Sequence, residues 1–437
     1  MAMSLYGGIW LELNKHPACD RPIESMPAPR TVYLPLRQHE GDPCVPTVKV
    51  GDAVKAGETI AAAGEGVSCP LQSPVSGTVR EIAECSMPTG AASTMIVIDS
   101  DEREREYAHA GTEDTDSLTE ENILDAAKDA GIASVSVFGP PLWARLEKMR
   151  DAEVDTLIIN AVETEPYICS SQKIIDDYPD EVALGMSLMM RCVGADKGML
   201  AVSDDIEPSV IDGMLESAHL AGPDLKLERI HQKYPSGFER YLIGLIKENR
   251  KIRDPLDVKA GFVYPEECML LARMVTSGHP QTAKVITVSG DAVGNPQTME
   301  VPLGTPVRDV LEHCGLIYDP ERVVLGSPMR GVAITNLATP VTKQVTAVLA
   351  LTPTKHSKLK SMCINCGKCV KVCPENLMPN YISMRAVIAD IDACRSLMVS
   401  DCIECGACAY VCPGRVPIVE LIKNIKKAVA EDGNDLE

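Results

Sequence analysis

"CINCGKCVKVCP" at residues 363–374 and "CIECGACAYVCP" at 402–413 decide how this chain is read. Each run has the spacing C-x2-C-x2-C-x3-C-P. Three thiolates this close can wrap a loop round one corner of an iron–sulfur cube, while the fourth, leaving beside a proline, reaches the other cube. The spacing therefore predicts one [4Fe–4S] cluster on Cys363, Cys366, Cys369 and Cys412, and a second on Cys402, Cys405, Cys408 and Cys373. Gly367 and Gly406 let the chain curl so that backbone N–H groups point at sulfide. The competing reading is a pair of zinc ribbons. Zinc takes four ligands, usually as two well-separated C-x2-C pairs, and two tight triplets each followed by Cys-Pro fit that poorly.

Outward from these runs, composition narrows the function. The 437 residues carry a net charge of −20, which repels phosphate backbones and anionic lipid and excludes nucleic acid as a natural partner. Aromatics make up only 4 %, leaving few stacking platforms. No apolar run approaches the ~18 residues of a membrane span, and "MAMSLYGGIW" has no secretory-signal pattern. The expected location is the cytoplasm, peripheral on the cytoplasmic face of the cell membrane. Of seventeen cysteines, nine lie outside the runs, and residues such as Cys85, Cys192 and Cys314 read mostly as small buried hydrophobes. The acidic stretches between 99 and 122 read as a solvated loop. No P-loop, G-x-S-x-G or H-E-x-x-H occurs, and His39 and His279 read as loop residues.

The fold class expected is multidomain α/β. After an N-terminal segment (1–30), short strands broken by Gly51-Asp52, Gly57 and Ser76-Gly77 over 31–98 resemble a β-sandwich of biotinyl/lipoyl type. Its hairpin tip, "GEGVSCPLQSP", lacks the carrier lysine, so a structural or docking module is expected there. Residues 118–275 alternate helix and strand, which favours a parallel sheet in a flavodoxin-like α/β domain. A capping box from Ser117 to Glu120 opens its first helix, which stops at Gly131. "VDTLIINA" reads as a buried strand, and ligands in such sheets sit beyond strand C-termini. "NAVETEPY" occupies that place. Asn160, Glu163 and Glu165 are its candidates for flavin or nucleotide contact, against a reading as a helix N-terminal turn or surface loop. Residues 276–350 read as a β-grasp domain, and 352–360 as a polar linker. A two-cluster, ferredoxin-like helical domain (356–416) follows. Between the cysteine runs, Ile382, Val387, Ile388 and Ile391 read as a helix against the clusters. In the closing segment (417–437), Ile418, Leu421, Ile422, Ile425 and Val429 share one face, read as core in preference to a partner-docking face.

Taken in order, "GGIWLELNK", "PLRQHEGDPCVPTVKVGD", "SPVSGTV", "NAVETEPY", "YPSGFERYL", "GSPMRG", "PVTK" and both cysteine runs resemble the C subunit of the Rnf complex, a membrane-associated ferredoxin:NAD oxidoreductase that moves sodium ions or protons. More weakly, the chain is similar to the flavin-binding subunit of respiratory complex I. The resemblance implies FMN, exchange of hydride with NAD(H), single-electron relay through two [4Fe–4S] clusters, and partners among the redox subunits of a membrane complex with a ferredoxin-type donor or acceptor. The chain departs from the family's glycine-rich G-G-A-G-F-P-T turn: here it has "GIASVSVFGPPLW", where Ser134, Val135 and Val137 would crowd a phosphate. "NAVETEPY" keeps Asn160, Glu163, Glu165, Pro166 and Tyr167 without the family's glycine. Two functions stay open: a subunit carrying out flavin-mediated hydride transfer, or an adaptor without a working flavin site that wires a ferredoxin-type donor to a dedicated reductase of the proline- or cobalamin-reductase type.

Overall fold

The computed structural model describes residues 5–88, 90–101, 103, 106–107, 109–133, 139–352 and 362–434. The central sheet has four parallel strands in the order Leu225–Ile230, Lys197–Ser203, Thr156–Ala161, Ala260–Val263. All six residues of Thr156–Ala161 are buried, because helices cover both faces of a parallel sheet and leave no polar side. The chain steps outward from this strand and then returns to its other flank. Strand order thus reverses between Thr156–Ala161 and Ala260–Val263, the place where α/β sheets open a crevice for ligands.

Helices Pro179–Val193 and Pro265–Ser277 cross closely in the core of this unit. Gly185 makes the crossing feasible: a Cβ there would lie 2.0 Å from the Cys268 carbonyl oxygen. The preceding helix, Glu120–Asp129, starts two residues later than the expected capping box. Thr119 is its N-cap, accepting from the Asn122 N–H (3.2 Å), while the Asn122 side chain accepts from the Thr119 N–H (3.1 Å). The Ser117 hydroxyl is instead spent on the Asp114 carbonyl. Gly131, at φ +65°, follows the helix end.

The N-terminal β module pairs Thr31–Pro35, Ala92–Ser100, Gly77–Ser86 and Ala53–Val54 in one sheet, and Val45–Pro46, Thr59–Ala62 and Leu71–Gln72 in another. Its hairpin tip is a docking surface. The Trp143 indole donates to the Ser68 carbonyl (2.7 Å), Gln72 donates to the Asp129 carbonyl (2.7 Å), and the buried Lys343 ammonium donates to the carbonyls of Gly131 (2.6 Å) and Pro70 (3.2 Å). His39 lies in a loop, but a buried one. Its ring accepts from the Cys69 N–H (3.4 Å), and burial lowers its pKa.

A six-stranded mixed sheet contains Ala283–Ser289, Gln297–Pro302, Arg322–Leu325, Val332–Ile334 and Ala347–Leu351, and the N-terminal Glu24–Ser25 closes one edge. The N-terminal segment also pairs Ile9–Trp10 with Lys233–Tyr234, and its Gly8 N–H donates to the Val372 carbonyl (2.8 Å), so it straps three units together. Of the two cysteines not in the runs that are only half-buried, Cys85 is one and Cys19 the other; Cys192 and Cys314 are buried.

The C-terminal unit is helical. Ile418, Ile422, Ile425 and Val429 of Ile418–Asn434 are buried against Ile382 and the cysteines. The segment between the runs is not one helix: Pro379–Val387 ends, Ala389 takes φ +52°, and Ile391–Ser396 begins anew. That break turns Val387 and Ile388 outward, 67 % and 65 % exposed, correcting the expectation that they pack against the clusters. Residues 353–361, which take in all of the linker read over 352–360 except Thr352, and residues 134–138 lie outside the described residues, and with the latter the reading of Ser134, Val135 and Val137. Among the described residues, no helix is long and apolar enough to cross a membrane.

Replacing Gly185 with alanine should force the two core helices apart and cost about 1–3 kcal/mol. A lowered denaturant midpoint is the expected result, and an unchanged midpoint would contradict the close crossing.

Candidate functional site: a cleft beside two four-cysteine cavities

The cysteine runs fold as a repeat. Asn365 and Glu404, Gly367 and Gly406, and Asn376 and Arg415 occupy equivalent places, and all six have positive φ. The left-handed residues turn each run so that backbone N–H groups face sulfur: the N–H of Asn365 donates to Cys363 and that of Glu404 to Cys402, both at 3.4 Å. Cys363, Cys366, Cys369 and Cys412 line one small cavity. Cys373, Cys402, Cys405 and Cys408 line another. Each cavity thus takes three thiols from one run and the Cys-Pro thiol from the other. Among the described residues, no three His, Cys, Asp or Glu side chains converge on a single ion position. Three thiols from one tight run with a fourth beside a proline fit the corners of an iron–sulfur cube, each holding its own iron.

The two cavities differ in surroundings. Cys363 and Cys366 are exposed, whereas Cys373, Cys405 and Cys408 are buried. Burial pushes the Cys405 thiol up to about 12 and raises Cys373 and Cys402 as well. Loading this inner quartet must therefore expel protons.

The inner cavity abuts the α/β unit. Tyr234, fully buried, donates to the Cys405 carbonyl (2.6 Å). Glu375, directly after Cys373-Pro374, accepts from Tyr241 (2.5 Å) and pairs with Arg240 and Arg253, each at 3.3 Å. Phe238 completes an aromatic wall, edge-on to Tyr234 at 5.8 Å and stacked with Tyr241 at 6.5 Å.

On the far side of this wall lies a cleft of about 700 Å³, at the C-terminal ends of Thr156–Ala161 and Ala260–Val263. Asn160, Glu163 and Glu165 all line it. Their polar groups are largely committed. Asn160 donates to the Gly237 carbonyl (2.9 Å) and accepts from the Val162 N–H (3.2 Å). The Glu163 carboxylate folds back to accept from Ser171 and Gln172 at 2.8 and 3.1 Å, which caps helix Ser170–Asp177. Lys15, from the N-terminal segment, donates to the Glu163 carbonyl (2.6 Å). Glu165 accepts from Ser327 (2.5 Å), and burial holds its carboxyl above the usual range, opposed by Ser327 and Arg330.

Deeper in the cleft, Lys284 pairs with Glu266, and Arg145 reaches Glu267 (2.7 Å). Burial alone would lower Arg145, but Glu267 and Glu239 outweigh it and keep the guanidinium charged. Burial raises Glu267, although Arg145 opposes the shift. None of these inner residues, nor Glu375 or Arg330, was singled out from sequence. Glu375 carried a signal in its place beside the Cys-Pro step.

Four family models match the chain in order: the RnfC barrel sandwich hybrid domain over 3–103, the Nuo51 FMN-binding domain over 127–276, the SLBB domain over 285–333 and the 4Fe-4S dicluster domain over 355–416. The C subunit of an ion-translocating oxidoreductase complex from Rhodobacter capsulatus is 32 % identical over 98 % of this chain and 84 % of its own length. The chain belongs to the RnfC family. Other members of that family include the C subunit of a proton-translocating ferredoxin:NAD(+) oxidoreductase complex from Clostridium ljungdahlii, 31 % identical over 88 % of this chain and 84 % of its own. The C subunit of the Na(+)-translocating complex from Acetobacterium woodii is 31 % identical over 89 % of each. Among solved structures, an NAD+-reducing [NiFe]-hydrogenase in its H2-reduced state shares the fold, with a TM-score of 0.51, 18 % identity, and coverage of 70 % of this chain and 62 % of that one. The RnfC-family cleft suits FMN in size, being within the ~300–1,000 Å³ of cofactor pockets, and in its position at the strand-order reversal.

Tyr234→Phe should strand the buried Cys405 carbonyl and cost about 1–3 kcal/mol. The expected readout is an earlier unfolding transition of anaerobic protein together with faster iron loss to a chelator. Unchanged iron retention would argue that this contact does not hold the inner quartet in place.

Proposed function

We propose that this chain is the iron–sulfur electron-transfer subunit of a membrane-associated ferredoxin:NAD oxidoreductase complex. It would bind FMN and NAD(H) in the cleft and hold two [4Fe–4S] clusters in the cysteine cavities. The observation that carries this reading is the inner four-cysteine cavity, which shares the Tyr234–Phe238 wall with the cleft while the outer one opens to solvent. FMN when bound converts a hydride pair into single electrons, which the clusters relay. In this reading Cys373, Cys402, Cys405 and Cys408 hold the inner cluster, and Cys363, Cys366, Cys369 and Cys412 the outer. The domains would be a barrel sandwich, a flavodoxin-like unit, a β-grasp unit and a ferredoxin-like unit, at the boundaries read from the sequence.

Each residue of the cleft has a definable task. Asn160 fixes the turn after its strand, and Glu163 holds the neighbouring helix N-terminus, so both shape the floor. Glu165 and Ser327 offer a hydrogen-bonded edge to a flavin ring or ribityl chain. Arg145, fixed by Glu267, keeps a positive charge at the cleft wall.

The outer cavity faces a docking surface. Met362, Ile364, Tyr381, Met384, Val387 and Ile388 are exposed around it. Between 362 and 388 the exposed charges are Lys368, Lys371 and Arg385, the last paired with Asp390 (3.4 Å), and the one carboxylate there, Glu375, is held inward at 7 % side-chain exposure. A locally basic, apolar face on a chain of net charge −20 suits an acidic electron carrier of the ferredoxin type. The membrane association would come through such partner subunits.

One observation favours the adaptor reading: Asn160 and Glu163 already spend their hydrogen bonds inside the protein. Anaerobic purification separates the two. A flavin absorbance band bleached by NADH supports the full reading, and iron and sulfide without flavin supports the adaptor. Cys366→Ser should remove about half of the iron and leave the inner cluster's signal, and full iron content would refute the ligand assignment. Reversing Lys368, Lys371 and Arg385 to glutamate should slow electron exchange with an acidic bacterial ferredoxin at low salt and flatten its salt dependence. Unaltered rates would remove this face as the docking site.

A further inference from the structure

The segment "GSPMRG", 326–331, is the thin partition between the cleft and the inner cysteine cavity. Its shape is fixed locally. Ser327 accepts from the N–H groups of Met329 and Arg330 at 3.3 and 3.2 Å, and its hydroxyl donates to Glu165. The Gly331 N–H closes the turn on the Ser327 carbonyl (2.7 Å). On its other side, the Met329 carbonyl touches the inner run so closely that a Cβ at Gly406 would lie 2.7 Å from it.

Arg330 occupies the cleft face of this partition, its guanidinium 4.6 Å over the Phe238 ring. Of the other cations lining the cleft, Arg145 pairs with Glu267 and Lys284 with Glu266, Arg240 and Arg253 share the single Glu375 carboxylate, and Lys148 is exposed to solvent. Among the described residues, no carboxylate closes a salt bridge with Arg330, and the nearby Glu165 is bound to Ser327. A guanidinium stays charged at every accessible pH. Its full positive charge therefore sits between the cleft and Cys405, in a wall of low polarity made by Tyr234, Phe238 and Met329.

We infer that Arg330 is the field-setting residue of the inner electron site, raising the reduction potential of whatever group Cys373, Cys402, Cys405 and Cys408 hold relative to the outer one. This deepens the proposed function and rests on its reading of those cysteines as [4Fe–4S] ligands. The physics is one of sign. Reduction adds one negative charge to the inner group, and a fixed cation close by favours the more negative state. Two of the outer quartet's thiols, Cys363 and Cys366, are exposed, and solvent there screens the same charge. The arrangement makes the inner site an electron sink next to the cleft. Arg330 does this without ligating anything.

The test is a redox titration of the anaerobic full-length protein, followed by low-temperature electron paramagnetic resonance, for parent, Arg330→Gln and Arg330→Lys. The same set in a Cys366→Ser background assigns the remaining signal to the inner quartet. Arg330→Gln should lower the reduced-to-oxidised ratio of the inner cluster at fixed potential by roughly tenfold, the scale one unit charge produces across ~10 Å at an effective dielectric near 20. The outer cluster should hold its midpoint, and Arg330→Lys should stay close to the parent. An unmoved inner midpoint, a shift in the opposite direction, or equal shifts for Lys and Gln would overturn the inference. Protein carrying no iron at all would instead defeat the reading on which it rests.

Discussion

The Glu375 carboxylate is the joint on which the arrangement depends. It follows Cys373-Pro374 by one residue, and it is gripped by Tyr241, Arg240 and Arg253, all from the α/β unit. A carboxylate this enclosed is tolerable only because two donors, Tyr241 and Arg253, and the nearby Arg240 charge replace the water it loses, and removing them would leave an uncompensated charge. The grip fixes the inner cysteine loop against the aromatic wall, and Tyr234 seals the contact through the Cys405 carbonyl. Electron exchange between neighbouring centres requires that they stay close. Here closeness comes from polar contacts beside the thiols, with the apolar packing of Ile9, Met329 and Val372 around them.

The cleft follows a complementary rule. Most of its charged groups neutralise one another in pairs, which keeps a deep, half-desolvated space from being hostile to ligand or fold. Glu163 illustrates the economy: one carboxylate caps a helix, and the same residue's backbone receives Lys15 from the N-terminal strap. The strap therefore reaches the floor of the cleft as well as the sheet edges. Arg330 sits on the partition without a salt bridge among the described residues, and that position gives its charge a direction.

Much of the architecture was legible in the sequence. The buried strand ending at Ala161, the first helix stopping at Gly131 and the inward stripe of the closing helix follow from local sequence pattern, which packing merely enforces. The boundaries that shifted did so for local chemical reasons. Thr119 displaced Ser117 as cap because Asp114 captured the serine, and Val387 and Ile388 turned outward because the chain breaks at Ala389. The hairpin tip without a lysine was recognisable as a docking element, but Trp143, Asp129 and Lys343 as its receivers were not, being 57 to 273 residues away in the chain.

By itself the sequence determined which cysteines group together, since their spacing is a short-range property of the backbone and the Cys-Pro step sends one thiol to the neighbouring run's cavity. It determined the strand after which a cleft must open, because burial on both faces is written into the residues 156–161. Only the tertiary structure decided which quartet lies inside and which faces solvent, which carboxylates are consumed by helix caps and ion pairs, and which cation is left over between cleft and cysteines. Those are sums over groups distant in sequence, and electrostatic and desolvation energies depend on positions in space that no local pattern encodes.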